Sequence, residues 1–538
     1  MRSLPQVKEE IEELKEARTL IEGNWKRAEN QFLGILPQRV GARGQALPTV
    51  NVNETFKSVF SFMRAVVEGI LFQPQIFKII PDNIEDVDFA EIFQHYLSHK
   101  IRRIPDFNFS FLNFAINSNL YGFGVGKLMV EPLEFEPISP WDIWIDQAIS
   151  PGRIKQIMHR IYLTKEELLE RRDNPNYGYD HLAEYLVEAK KEEIATTTTK
   201  KSIRKKYEIW EYWYEDDDEW RVMTIGVVGN EPTIMLRDIA TPYWFGHPFI
   251  FGINIPRFDS LYGLGEADLL YESQRGETML LNLYLDQLQV IARPPVFFDP
   301  DIIADVADLE PLLNPEQGGY IPIPGLSIHP TAIREFARAP LSPTFFSAIE
   351  YLERLSEELR GTTGLLATGE APPSREPMRT TMARLNISRG ALMFRLWLLG
   401  ESLKELGKRI VLSIFENPPT DEMTEILTNK GRATVIVKRG KRTDVLKEVR
   451  TGIEGNIPFY TLILPRSREK ALKFQNIQVM PAFLEEKDAA KKADLVEKVR
   501  ATAELMRISP EVAKLIDIPE LLREFYRGDI RTEKLFKE

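Results

Sequence analysis

The chain has 538 residues, 43% of them hydrophobic and 28% charged, a balance that fits folded globular units and excludes disorder. Its formal net charge of -11 excludes a strongly basic, general nucleic-acid binder, because phosphate affinity comes from Lys and Arg. It has no cysteine, which excludes disulfides, thiolate metal sites and a cysteine nucleophile, and fits assembly in a reducing cytoplasm. The length exceeds a single core and implies two to four packed units. The opening stretch, Met1 to Leu14, lacks an apolar core, so no leader peptide is expected. No apolar run approaches the roughly 20 residues of a membrane span; Gly390 to Gly400 is short and is broken by Arg395. Abundant Glu, Lys, Arg and Pro without Cys also suit a heat-loving source.

A charged helix is predicted over residues 6–31, with Ile11, Leu14, Leu20 and Ile21 as its apolar positions. After a polar Gly-rich loop, residues 51–71 read as a helix with Phe56, Val59, Phe60, Met63, Val66 and Val67 on one face. Two more helices follow at 86–101 and 107–120. A strand-rich stretch starts at Gly124, and a strand is expected over 155–163. The next helix, 164–171, is capped by Thr164 with Glu167 three residues on. Residues 209–214 and 220–225 alternate as strands around the acidic turn Asp216–Asp218. A long helix over 266–293 is stopped by Pro294-Pro295. Residues 294–337 are Pro-rich and strand-like. A second helix runs from Ser342, with Pro343 at its first position, to Gly361. A Gly/Pro segment, 369–377, leads into the longest helix, 380–415. Strands are expected at 433–438 and 459–464, and a charged helical tail from Val479.

Chemistry-bearing motifs are sparse. Residues 375–409 carry eight basic and three acidic side chains, so a loop feeding a basic helix could touch a phosphate backbone, although Arg389 and Arg395 sit among apolar neighbours that suit salt bridging. Lys438 to Arg442 and Lys200 to Lys206 read as solvated basic turns. His95 and His99 have metal-ligand spacing on a helix but no third ligand. Gly122, Gly124 and Gly126 lack the phosphate-loop spacing, and no such loop occurs, which argues against a nucleotide-driven motor. Asp216 to Glu219 fits a solvated hairpin tip better than a cation loop. No catalytic residue, metal or cofactor is expected.

One order of elements stands out. Asn51-Val52-Asn53 precedes a helix. Leu120 to Gly124 and Ile138-Ser139-Pro140-Trp141-Asp142 follow, then Tyr207 to Tyr214, His247-Pro248-Phe249 and Tyr262-Gly263-Leu264-Gly265. Gly318-Gly319-Tyr320-Ile321, Thr363-Gly364, Thr368-Gly369 and Arg379 to Ala383 complete it. Over residues 50 to 415 this resembles the portal proteins of short-tailed and related phages. The resemblance implies a mainly α fold with an α+β wing, long stem helices, a small β-rich clip and a helical crown, assembled as a ring of twelve. It places the wing at 1–265, stem helices at 266–293 and 338–362, and the clip at 294–337. The tunnel loop falls at 363–380, the long helix with wing strands at 381–476, and the crown at 477–538. Pro372, Pro373, Arg375, Arg379 and Arg384 would face DNA in the channel. Pro294, Pro295, Gly318, Gly319 and Tyr320 would dock the terminase and then the head-tail adaptor. Gln274, Asn282 and Asp286 would make stem contacts between subunits. Further implied partners are packaged double-stranded DNA, bound without sequence specificity, and the major capsid and scaffolding proteins, with the protein at the portal vertex of the virion and no membrane.

The residues support this independently in one respect. The helix over 266–293 carries Leu280, Leu281, Leu283, Tyr284, Leu285, Leu288, Val290 and Ile291 around most of its circumference, and such a helix needs neighbours that head-to-tail ring contacts would supply. Another ring-forming tail or baseplate protein would lack the helix–β–helix insertion followed by a Gly/Pro loop. A nucleic-acid enzyme would need spaced carboxylates or a phosphate loop.

Overall fold

The computed structural model describes residues 2–40, 46–47, 49–73, 75–81, 87–130, 132–173, 178–196, 206–229, 231–292, 296–298, 320–322, 334–335, 344–360, 378–418, 423–428, 431–440, 444–452, 455–465 and 477–481. By packing, the chain divides into two units. One comprises residues 1–25, 61–265 and 392–538, the other residues 26–60 and 266–391. Residues 26–60 group with the mid-chain helices.

In the larger unit, helix α1 (Leu4–Leu33) lays Val7, Ile11 and Leu14 on one face of an antiparallel sheet. That sheet contains β6 (Ile143–Ile145), β7 (Gln156–Thr164), β8 (Lys206–Asp216), β9 (Glu219–Val228) and β10 (Glu231–Ala240), in the order β10-β9-β8-β7-β6. Strand β8 is aromatic on both faces because both are covered. Trp210, Tyr212 and Tyr214 meet α1, whereas Tyr207 and Ile209 meet α5 (Lys165–Asp173) and α6 (Leu182–Thr196). The capping box at α5 forms: Thr164 N donates to Glu167 at 2.7 Å and Glu167 N to Thr164 Oγ1 at 3.4 Å. The β8–β9 turn sits on Asp217 and Asp218 with φ of 49° and 63°, a left-handed pair that short polar side chains tolerate.

A second core gathers α3 (Val87–Arg102), α4 (Phe107–Tyr121) and the sheet β11-β4-β5 (Phe249–Ile253, Phe123–Met129, Glu134–Ile138). It also takes in the sheet β15-β16-β18-β17 (Met423–Thr428, Gly431–Gly440, Gly455–Pro465, Asp444–Gly452). Phe93, Tyr96, Phe111, Phe114 and Phe415 are fully buried there; burying each such side chain contributes about 1.5–3 kcal/mol. Gly122 ends α4 with φ of 79°, and a Cβ there would collide with the Gly263 carbonyl, so the glycine-rich turn serves close backbone packing.

Nineteen strands in six sheets among the described residues accompany the helices, so the fold is mixed α+β. The sequence underweighted β5, β6, β10, β11, β15 and β17. It also assigned helix from Val479, whereas Ile477–Pro481 forms β19, paired antiparallel with β3 (Phe77–Pro81). The main-chain bonds of β3 supply what local propensity did not. No helix among the described residues is long and apolar enough to cross a membrane.

Candidate functional site: the paired-helix unit

The smaller unit is built on α7 (Glu266–Ala292) and α8 (Thr344–Arg360). A short three-stranded sheet intervenes in sequence, in the order β13-β12-β14 (Tyr320–Pro322, Val296–Phe298, Arg334–Glu335). Glu266 and Asp268 in the first turn of α7 complement its dipole. The helices approach closely at Gly276, where an added Cβ would lie 3.3 Å from Leu352. Ser356 donates to Glu277 at 2.7 Å, and Tyr284 stacks on Phe345 with centroids 5.2 Å apart.

One face of α7 is polar and buried. Positions 274, 278, 282 and 286 recur every fourth residue and therefore line one stripe. A strap formed by residues 50–58 runs along it. Gln274 accepts from Thr55 N at 2.9 Å and from Thr55 Oγ1 at 2.7 Å, and donates to the Gln31 carbonyl at 3.3 Å. Val52 N donates to Thr278 Oγ1 at 3.2 Å. Asn282 mimics a strand partner: it accepts from Val50 N and donates to Val50 O, both at 2.8 Å. Asp286 pairs with Arg39, and Ser58 donates to Glu266 at 2.6 Å. The strap turns helical where Asn53 caps α2 (Glu54–Val66) by accepting from Phe56 N at 3.1 Å.

The neighbouring flank of α7, about 100° round the helix, is inverted. Met279 is 69% exposed, and Leu283 and Leu288 are exposed too. On α8, Phe346, Tyr351 (65%) and Leu359 are exposed, as are Phe56 and Phe60 on α2. A polar inside and an apolar outside are the opposite of a soluble surface helix, and patches of this kind mark association.

The sequence matches the family described as Phage SU10 portal protein over residues 127–435, more than half of the chain. The chain belongs to that portal family. It is a family of structural rather than catalytic proteins. None of the curated proteins compared with the chain matches it.

The portal-family positions expected from sequence fall in three groups. Gln274, Asn282 and Asp286 do share one helix stripe, but they are committed within their own chain. Gln274 and Asn282 are buried on the strap, where they bond to Thr55 and Val50 of the same chain. Arg379 and Arg384 lie on α9 (Met378–Glu416), whose helix begins two residues before the expected start, so Arg379 is helical and not part of a loop. Tyr320 opens β13. Pro294, Pro295, Gly318, Gly319, Pro372, Pro373 and Arg375 lie outside the described residues, as do the caps Ser342 and Gly361.

The basic stretch 375–409 does not face outward throughout. Arg395 and Arg409 are both buried. Arg409 donates to the carbonyls of His247 and, at 2.9 Å, Phe249, while its Nε meets Glu405 at 2.9 Å. Burial and the adjacent Arg409 guanidinium hold the His247 imidazole well below its ordinary pKa. A second buried group centres on Glu211. Lys127 lies 2.7 Å from it, and His159 and Arg171 both lie at 3.8 Å. Burial alone would raise the Glu211 pKa, but these neighbours hold it well below the usual carboxylate range, while burial lowers His159. Both groups tie strands and helices together and are spent on one another. No group of three or more His, Cys, Asp or Glu among the described residues could hold a metal, and His95 and His99 remain two.

Sequence reasoning missed the strap and its anchors Gln31, Arg39, Thr55 and Thr278. The signal available was the four-residue recurrence of polar side chains on an otherwise apolar helix.

Proposed function

We propose that this portal-family chain assembles as a closed ring, of twelve subunits, that forms the double-stranded DNA channel at one capsid vertex. In this reading α7 and α8 are stem helices lining the ring. Residues 294–337 are the clip that docks the terminase motor and later the head-tail adaptor. Residues 363–377 form the tunnel loop, with Pro372, Pro373 and Arg375 facing the DNA and Arg379 and Arg384 just beyond it at the head of α9. Capsid and scaffolding proteins meet the outer parts. The observation that carries this reading is the exposed apolar flank of the paired-helix unit, set on a chain of the portal family. Head-to-tail packing would bury Met279, Leu283 and Leu288 of one subunit against Phe346, Tyr351 and Leu359 of the next, and the repeated rotation closes a ring. The mechanism is geometric. An acidic chain holds DNA loosely, so DNA slides through the ring without a phosphate brake. Deleting residues 300–330 tests the docking role: rings still form, but they no longer stimulate the terminase. A deletion variant that stimulates it normally refutes the clip assignment.

A further inference from the structure

We infer that a cavity between α9 and β11 binds a neutral phenolic ring with an amide beside it, the chemistry of a tyrosine residue on another chain. The cavity encloses about 520 Å³, within the range of sites that hold a small ligand or a large side chain. Trp220, Phe245, Phe249 and Phe251 wall it, so a flat ring entering it meets other rings on several sides.

Two buried polar groups in that wall have bonds left to make. His247 is 6% exposed. Its Nδ1 accepts from Phe249 N at 3.3 Å and lies 3.3 Å from Arg409 Nη1, another donor, so the ring proton sits on Nε2. Burial beside Arg409 keeps the imidazole neutral. Its Nε2–H therefore calls for an acceptor, and no described residue provides one. Ser402, 8% exposed, lines the same cavity. A helical serine commonly returns its hydroxyl to a carbonyl one turn back, but Ser402 has no hydrogen-bond partner among the described residues. Buried polar groups are nearly always hydrogen-bonded, so two such groups in one aromatic cavity point to a ligand.

The ligand is neutral because the three lining carboxylates are already paired. Glu215 meets Lys155 at 3.8 Å, Glu405 meets Arg409 at 2.9 Å, and Glu401 meets Lys404 at 3.9 Å. The remaining lining ion, Arg153, is exposed. A phenol oxygen accepts from the His247 Nε2–H, whereas an indole N–H can only donate and a benzyl ring does neither. Ser402 precedes Arg409 by seven residues, two turns and about 10 Å along one helix face, so its hydroxyl meets the amide end of the ligand and not the phenol. The inference does not depend on ring assembly.

The test is saturation-transfer NMR on the full-length protein, titrated with N-acetyl-L-tyrosinamide, N-acetyl-L-phenylalaninamide, N-acetyl-L-tryptophanamide and p-cresol. The capped tyrosine should bind saturably, at least about tenfold more tightly than the phenylalanine and tryptophan probes, which strand the His247 donor. Ser402→Ala should weaken the capped tyrosine about fivefold and leave p-cresol unchanged. Its melting temperature should not move, because the hydroxyl has no partner to lose. If p-cresol binds as tightly as the capped tyrosine, the amide contact is overturned and the site belongs to small free phenols. Absent binding, equal binding of the phenylalanine probe, or displacement of the capped tyrosine by uridine, a neutral planar ligand with carbonyl acceptors, would overturn the phenol assignment.

Discussion

Asn282 and Leu283 are neighbours on α7 that point about 100° apart, one onto the strap and one outward. Replacing Asn282 by Ala removes both bonds to the Val50 backbone and leaves a part-buried amide and carbonyl without partners. At about 1 kcal/mol for each bond, plus the desolvation of the stranded groups, the loss is about 2–3 kcal/mol. Asn282→Asp keeps the acceptor for Val50 N and loses the donor, so it should cost about half as much. Leu283→Glu, at an exposed helix position, should change the stability of the single subunit by no more than about 0.5 kcal/mol. Urea denaturation of the dispersed subunit, followed by far-ultraviolet circular dichroism, measures all three. The midpoint falls for Asn282→Ala with the slope unchanged and stays put for Leu283→Glu. Assembly should sort the variants the other way, with Leu283→Glu losing it and Asn282→Asp keeping it. Equal midpoints for Asn282→Ala and the parent chain, or a Leu283→Glu subunit that is itself unfolded, would refute the division of α7 into an inner polar and an outer apolar face.

Other outcomes follow from the same geometry. Arg409→Met strands two carbonyls and should lower stability by about 3 kcal/mol by calorimetry, and Arg409→Lys should not restore it because a single ammonium cannot span the same acceptors. His159 and His247 bind protons less readily folded than unfolded, so the stability they contribute is complete above about pH 6.5 and is lost as pH falls below it. Glu211 adds a further loss as pH falls below about 4.5. The melting temperature should therefore drop on acidification, less steeply in His247→Gln; a melting temperature that rises instead contradicts the burial argument. Arg375→Glu with Arg379→Glu should leave rings intact but reduce packaged DNA, measured by nuclease protection, and normal packaging would remove these residues from the channel.

Much of this fold was legible because period-3.6 apolar spacing survives in isolation. The helices α1, α3, α4, α7 and α9 were placed within two or three residues. Strands were harder where neighbours, not pattern, decide. Strand β10 pairs with β9 through two register shifts, at Pro232/Ile234 and Met235/Arg237, which destroy its alternation. Strand β19 exists through its pairing with β3, almost 400 positions earlier. The polar stripe of α7 was visible as residues but not as a contact, because its partner is the main chain of the strap at Val50 and Val52 and its side chain Thr55. Main-chain bonding leaves no compositional trace. Arg409 read only as one more charge of the basic stretch for the same reason: it is held by the carbonyls of His247 and Phe249, far off in sequence.

The central claim is ring assembly through the exposed flank of the paired-helix unit. Mass photometry of the purified chain, with negative-stain microscopy of the same sample, tests it most directly. The account predicts annular particles with a central hole, near twelve subunits of 62.1 kDa, hence about 745 kDa in a closed cyclic assembly. A chain that stays a compact monomer or dimer at micromolar concentration would contradict it.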